Sequence, residues 1–287
     1  MSLVLDFSLP YVEELVKDGF QLYNKTYENY DKRILLINLM PNKEETELQI
    51  LKSLGKSNCR INIEYIYTKT YTPKNVKDEY LKKYYITFKE AIKKKFHGII
   101  ITGAPVETLD YENNYYWGEL VDIFNYIRKN NENSLYICYG ASAALYHYYG
   151  INKFISKEKI FGVFNHEILV KSSYLKGLDN NFKAPHSRYS YIKEEDIKKI
   201  KDIKIISKSS SGEVFALEDK FNNLFILGHM EYEEYTLKKE YLRDRERGIS
   251  PSIPKDYFVD DDINKGVNYS WDRTKKTIFK NWLNTLN

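Results

Sequence analysis

Cysteine is scarce in this 287-residue chain. The two present, Cys59 and Cys138, lie far apart in unlike contexts, so neither a disulfide framework nor a zinc knuckle or other metal site is expected, and a reducing cytoplasm fits. Proline is sparse too, with seven residues, and no internal repeat or low-complexity linker divides the chain. No apolar run approaches the length of a membrane span, and the opening MSLVLDFSLPYVEELVKDGF lacks the basic start and continuous apolar stretch of a signal peptide, so no membrane partner is expected. Neither sign of charge prevails: 44 basic and 40 acidic residues are well mixed and leave a net charge of +4. That is a solvated surface without the basic stripe that nucleic acid requires. Tyrosine is abundant, at 27 residues, but with the many Lys, Asn and Ile it reads as compositional bias and carries no functional assignment.

What is present alternates between strand and helix. RILLINLMP, residues 33–41, is an unbroken apolar run closed by proline, as expected of a strand covered on both faces of a parallel sheet. Thr46, Ile50, Leu51 and Leu54 then recur at helical spacing and Gly55 supplies the stop. INIEYIYT, residues 61–68, is the next strand, and strand, helix, strand in that order indicates a right-handed crossover. A polar loop with Pro73 leads to a basic amphipathic helix expected over residues 80–95. HGIIITGAPVE, residues 97–107, reads as a buried strand entering a Gly-Ala-Pro turn, and residues 116–129 as a helix. After Gly150 the pieces shorten: KIFGVFNHEIL, a loop KAPHSRYS, then runs at 203–207, 213–217 and 224–227 that resemble hairpins and edge strands. Residues 228–248 read as a helix start with His229 and Glu231 at its mouth, and a last helix carries Trp271, Phe279 and Trp282. Residues 1–32 are expected to form an N-terminal arm, irregular apart from one helical piece at 11–18, leaving residues 33–287 as a single α/β domain. The fold class is an open, mostly parallel sheet with helices on both faces, extended by hairpins and a C-terminal helical segment.

The stretch SLYICYGASAALYHYYG, residues 134–150, carries the first chemical signal. A short apolar strand ends at Cys138, Gly140 gives a tight turn its freedom, and small residues from Ala141 onward let a helix pack closely on a sheet. A thiol at the carboxyl end of a strand and the mouth of a helix is activated by position, with backbone N–H groups near to hold an oxyanion. Cysteine is also among the most buried residue types, so inert core is the plainer explanation for Cys138 alone. His229 and Glu231 fall just past another strand end, where ligand crevices of open α/β sheets lie. A thiolate attacks an acyl group, an imidazole moves the proton, and a carboxylate orients the imidazole. An extended H-x-E puts His229 and Glu231 on one side. Taken singly, His229 is equally a satisfied polar residue and Glu231 a helix-start charge.

The sequence resembles the homoserine O-acyltransferases of methionine biosynthesis, the MetA type, which share the class I glutamine amidotransferase-like fold. The matching stretches are NLMPNKEETE (38–47), IITGAPVETL (100–109), YYW (115–117), ICYGASAALYHYYGI (137–151), KIFGVFNH (159–166), APHSRY (184–189), GHMEY (228–232) and LRD (242–244). The resemblance implies a ping-pong transfer in which Cys138 takes the acyl group from acetyl-CoA as a thioester and passes it to the hydroxyl of L-homoserine. It implies His229 as general base, Glu231 as its orienting partner, and no cofactor beyond acetyl-CoA as co-substrate. Lys159 and Ser187 map onto substrate contacts, and Arg243 onto the homoserine carboxylate, which an arginine fork suits. Glu107 maps onto the donor-specificity position, glycine matching succinyl-CoA enzymes and glutamate matching acetyl-CoA ones. A glutamate there fills space and repels a succinyl carboxylate. The backbone N–H groups near Val106 and Tyr139 are the oxyanion-hole candidates. A homodimer is expected on family grounds.

Three departures stand out. The arm before Arg33 does not match the family pattern, Tyr139 replaces a common tryptophan, and Tyr136 lacks the glycine that amidotransferase elbows place two residues before the nucleophile, which argues against glutaminase activity. Succinyl transfer, a serine acceptor, a cysteine hydrolase or amidotransferase of the same fold, and a catalytically silent binding module remain alternatives. Without the resemblance, Lys159 and Arg243 read as surface charges and Ser187 as a loop residue bonding its own backbone, while a turn cap and a donor-selecting role weigh about equally for Glu107.

Overall fold

Alternation along the strand at residues 32–37 sets the architecture. Ile34 and Leu36 pack into one apolar cluster, Leu35 and Ile37 into a second on the opposite face, as a strand buried on both sides requires. The chain, described here over residues 2–26, 29–55, 57–70, 76–106, 108–130 and 132–286 of a computed structural model, repeats that plan. It opens with β1 (Ser2–Leu5), α1 (Val12–Lys17), β2 (Gln21–Asn24), β3 (Lys32–Ile37), α2 (Lys43–Leu54) and β4 (Arg60–Ile66). There follow α3 (Asp78–Tyr84), β5 (Tyr85–Ile86), α4 (Phe88–Ala91), β6 (Gly98–Ile101), α5 (Trp117–Asn130), β7 (Ser134–Ile137) and α6 (Tyr139–Tyr149). The second half holds β8 (Phe154–Ile168), β9 (Asn181–Tyr191), α7 (Glu194–Ile197), β10 (Ile203–Ser209), β11 (Val214–Asp219), β12 (Leu224–Ile226), α8 (Thr236–Glu246) and α9 (Asp272–Thr285).

One sheet runs β2-β1-β4-β3-β6-β7-β12-β11-β10-β8-β9, with β5 paired to β4. Every pairing from β2 to β12 is parallel, and every pairing from β12 to β9 is antiparallel. Side chains of α2 and α9 fill one face and those of α5 and α6 the other, giving three layers of the expected α/β class. Among the described residues no helix is long and apolar enough to cross a membrane.

Four local expectations are corrected. The stretch before Arg33 is not irregular: β1 lies between β2 and β4 and extends the sheet, with Leu3, Leu5 and Leu15 fully buried. The basic helix expected over residues 80–95 is broken at β5, because Tyr85 turns its hydroxyl onto the buried carboxylate of Glu47, and Thr87 starts a separate turn with a Thr87–Glu90 capping box. KAPHSRYS is strand, not loop. It belongs to β9 at the sheet edge, where a strand tolerates a residue without an N–H such as Pro185. Finally, β12 is interior and parallel to β7, and α8 begins only at Thr236, so His229 and Glu231 stand on an irregular loop between the two.

Candidate active site

Cys138 sits where β7 gives way to α6, and its backbone is strained, at φ 49° and ψ −112°. The other described non-glycine residues with positive φ are asparagine or aspartate, which enter that region with little penalty. Strain of this kind persists only where surrounding structure over-determines it, and it concentrates at functional positions. Gly140 makes the turn possible: a Cβ there would lie 2.7 Å from the Thr102 carbonyl oxygen and 2.9 Å from that of Ile101. The Cys138 N–H donates to the Ile226 carbonyl at 2.7 Å, which ties the elbow to the end of β12.

His229 follows the same strand. Its N–H donates to the Pro185 carbonyl on β9 at 2.9 Å, its Nδ1 lies 2.7 Å from Glu231 Oε1, and its ring adjoins the Cys138 side chain. Gly103, just past β6, borders the same spot, since a Cβ on it would fall 3.3 Å from Cys138 Cβ and 3.5 Å from His229 Cε1. Three strand ends thus converge, as expected for an open α/β sheet. Burial alone would push the imidazole toward neutrality, but the negative charges of Cys138 and Glu231 and their hydrogen bonds outweigh it and hold His229 well above its ordinary value. With Nδ1 engaged by the carboxylate, Nε2 is left for the thiol, and the three groups form one line along which a proton can move.

The line opens onto a cavity of about 580 Å³ between α2 and α8, and Cys138, His229, Lys159, Ser187 and Arg243 all line it, while Glu231 stands buried behind the imidazole. Lys159 and Arg243 are not free surface charges. Both close on Asp244: Lys159 Nζ lies 3.0 Å from its Oδ2, and Arg243 donates to Oδ1 from Nε at 3.0 Å and from NH2 at 2.8 Å. Burial would raise the Asp244 carboxyl, but these two cations hold it below the usual carboxylate range. Glu240, one helical turn earlier on α8, accepts hydrogen bonds from the hydroxyls of Ser187 and Tyr232, the latter at 2.6 Å, with Lys159 Nζ at 3.8 Å.

Sequence reasoning missed Glu240 and Asp244 as site residues. Their signal was the i,i+4 spacing that puts Glu240 and Asp244 on one helix face, which gains meaning only once α8 is known to wall the cavity. Val106 is half-buried on the turn after Pro105, outside the cavity lining. Tyr139 turns its side chain away, its hydroxyl accepting from Asn114 Nδ2 at 2.9 Å, but its N–H opens α6 beside the thiol as the first residue of the helix. Glu107 lies outside the described residues; Pro105 and Thr108 both line the cavity. No cluster of three or more His, Cys, Asp or Glu side chains among the described residues could hold a metal ion. A second, open hollow of about 750 Å³, near α7 and residues 211–213, contains none of the site residues.

The model of the family described as homoserine O-succinyltransferase matches residues 4–287, so it takes in the second half of β1 and all of β2. Among curated proteins, the chain is 45% identical over 253 residues to a homoserine O-acetyltransferase of Clostridium acetobutylicum, covering 88% of this chain and 84% of that one. It is 39% identical over 290 residues to the homoserine O-acetyltransferase of Clostridium botulinum, covering 99% and 95%. Among solved structures, a glutamine amidotransferase of Thermotoga maritima superposes with a TM-score of 0.60 at 13% identity over 89% of this chain and 97% of that one. One from Methylobacillus flagellatus gives 0.59 at 10% identity over 89% and 96%. At such identities the two structures speak for the fold alone.

Proposed function

This chain belongs to the homoserine O-succinyltransferase family and is a homoserine acyltransferase of methionine biosynthesis, and from that premise we propose that Cys138 carries an acetyl group from acetyl-CoA to the hydroxyl of L-homoserine as a thioester. The observation that carries this reading is the line of Cys138, His229 and Glu231, with the imidazole hydrogen-bonded to the carboxylate, opening on a cavity that also presents Arg243 and Lys159. In the first half-reaction the Cys138 thiolate attacks the thioester carbonyl. The carbon–sulfur bond to CoA breaks, and the departing CoA sulfur takes the proton from the His229 imidazolium. In the second, His229 removes the homoserine hydroxyl proton as that oxygen attacks the acetyl-cysteine. The bond to Cys138 breaks, O-acetylhomoserine leaves, and the thiolate and imidazolium are restored.

In this reading the tetrahedral oxyanions are held by the N–H of Tyr139, at the positive end of α6, with that of Val106 as the second candidate. Arg243 takes the homoserine carboxylate, Lys159 and Ser187 contact the substrate, and Glu240 offers a carboxylate to the ammonium. A cavity carrying fixed charges of both signs suits a zwitterionic acceptor better than it suits a simple alcohol. Glu107 sets the donor, excluding succinyl by bulk and repulsion. The second reading is succinyl transfer by the same residues, favoured by the description of the matched family. The reading includes no cofactor, work in the cytoplasm, and a homodimer, which light scattering on the purified protein measures.

Mixing the protein with acetyl-CoA alone and weighing it intact tests the covalent step. One acetyl adduct that Cys138→Ala abolishes is expected; no adduct, or one that survives the substitution, overturns the mechanism.

A further inference from the structure

His229 has a further neighbour that the proton-transfer line does not use. The ring of Tyr232 stacks on the imidazole with centroids 4.2 Å apart and planes 21° from parallel. Tyr232 is buried, and it is held from two sides: its hydroxyl donates to Glu240 Oε1 at 2.6 Å, and its carbonyl accepts from the Trp271 indole N–H at 2.9 Å. The ring face is therefore fixed against His229. An aromatic face within about 6 Å of a cation attracts it, most strongly where water is excluded.

We propose that Tyr232 is a positioning residue for the acid–base step: its ring face clamps the His229 imidazole and favours the imidazolium–thiolate pair over the neutral imidazole–thiol pair. The inference rests on the thiol–imidazole reading above and adds a residue to it. The other titratable groups around His229 are Cys138 at the mouth of α6, Glu231 on the same loop and His186 on β9. The first two already favour the imidazolium. His186 is neutral, held down by burial, by the Arg188 charge and by repulsion from any proton on His166 or His229, so it contributes no compensating charge. The Tyr232 phenol, kept protonated by burial and by the nearby Glu240 and Glu231 charges, adds no negative charge of its own, so its effect on the imidazolium is that of the ring face.

The pH dependence of Cys138 alkylation by iodoacetamide, with the Cys138→Ala rate subtracted to remove Cys59, reads the pair directly. Tyr232→Leu, which removes the ring, is expected to slow alkylation about tenfold at neutral pH and to regain the wild-type rate at alkaline pH, where the thiol ionises without help. Tyr232→Phe, which keeps the face and loses the hydroxyl, is expected to retain the wild-type profile. A cooperative thermal unfolding transition in each variant, as in wild type, is the folding control, because an unfolded variant would also label with the pH dependence of a free thiol. Identical wild-type and Leu profiles would overturn the inference and leave the mechanism standing. A Phe variant as slow as Leu would overturn it in favour of the hydroxyl. A wild-type Cys138 no more reactive at neutral pH than a free thiol would overturn the thiol–imidazole reading itself.

Discussion

Replacing Glu231 by glutamine keeps the shape behind His229 and removes the charge. The amide can offer Nδ1 an N–H in place of an acceptor, which selects the wrong tautomer and leaves Nε2 unable to take a proton. By analogy with other triads, kcat should fall by roughly two to four orders of magnitude with little change in the homoserine KM, and steady-state kinetics on Glu231→Gln checks both. Equal kinetics in the variant would remove the carboxylate from the mechanism. Glu107 is tested by donor choice: wild type should show the higher kcat/KM for acetyl-CoA and Glu107→Gly should gain on succinyl-CoA, and a wild type that prefers succinyl-CoA would reverse the donor assignment. Residues at strand ends were legible because chemistry and position coincide there: a lone cysteine before a glycine turn, a histidine and a glutamate two apart. Glu240 and Asp244 were not, since a charged residue on a helix surface reads as solvated until the opposite wall is known. The strained backbone at Cys138 likewise exists only through β12 and β6, which hold the elbow from outside its own sequence.

At the scale of the element, the β8–β9 hairpin shows why a polar stretch hid a strand. His166 and His186 face each other across it, Nε2 to Nε2 at 2.8 Å, both buried, and Arg188 Nε donates to His186 Nδ1 at 3.2 Å. Polar residues that satisfy one another need no apolar alternation, so period-two reasoning passes over them. With His186 Nδ1 accepting, its Nε2 donates to His166, and a proton added to the acceptor breaks the pair. Burial, the largest influence, drives His166 down to about 3 and His186 well below its ordinary value. The unfolded chain binds these protons near the ordinary histidine value of about 6.5, so below that pH it binds more protons than the folded chain. Stability is then complete above about pH 6.5 and falls as pH drops toward 3, with the pair contributing on the order of a few kcal/mol to the loss. Urea midpoints at pH 7 and pH 4.5 measure this. His166→Phe should lower the pH 7 midpoint yet lose less on acidification than wild type, and an unchanged acid loss would mean the pair does not titrate with unfolding.

Across the whole molecule the consequential misreading was the N-terminal stretch, and the reason is physical. Four-residue strands such as β1 and β2 are too short for alternation to register, and they become strands only because β1 pairs parallel to β4 far along the chain and β2 pairs parallel to β1. Their burial does more than extend an edge. Tyr11 donates to Glu47 Oε2 at 2.7 Å and stands 3.2 Å from the Tyr65 hydroxyl, while Lys52 near the end of α2 pairs with Glu14 and Asp18 around α1. Phe20 packs where any side chain on Gly55 would collide with it. These contacts seat α2, and α2 presents Thr46 and Gln49 to the cavity that holds Cys138. Deleting residues 2–24 should therefore act on the site from a distance. It strips the edge from β4, uncovers apolar side chains including Leu3, Leu5, Leu15 and Phe20 with their partners, and leaves the Glu47 carboxylate short of one donor. The expected result is a Tm lower by roughly 10 °C or more, with homoserine KM rising as the α2 wall loosens. Calorimetry with kinetics on the truncated chain checks both. A truncated chain with unchanged Tm and unchanged KM would make the stretch a dispensable arm after all, and would detach the position of α2 from everything that precedes β3.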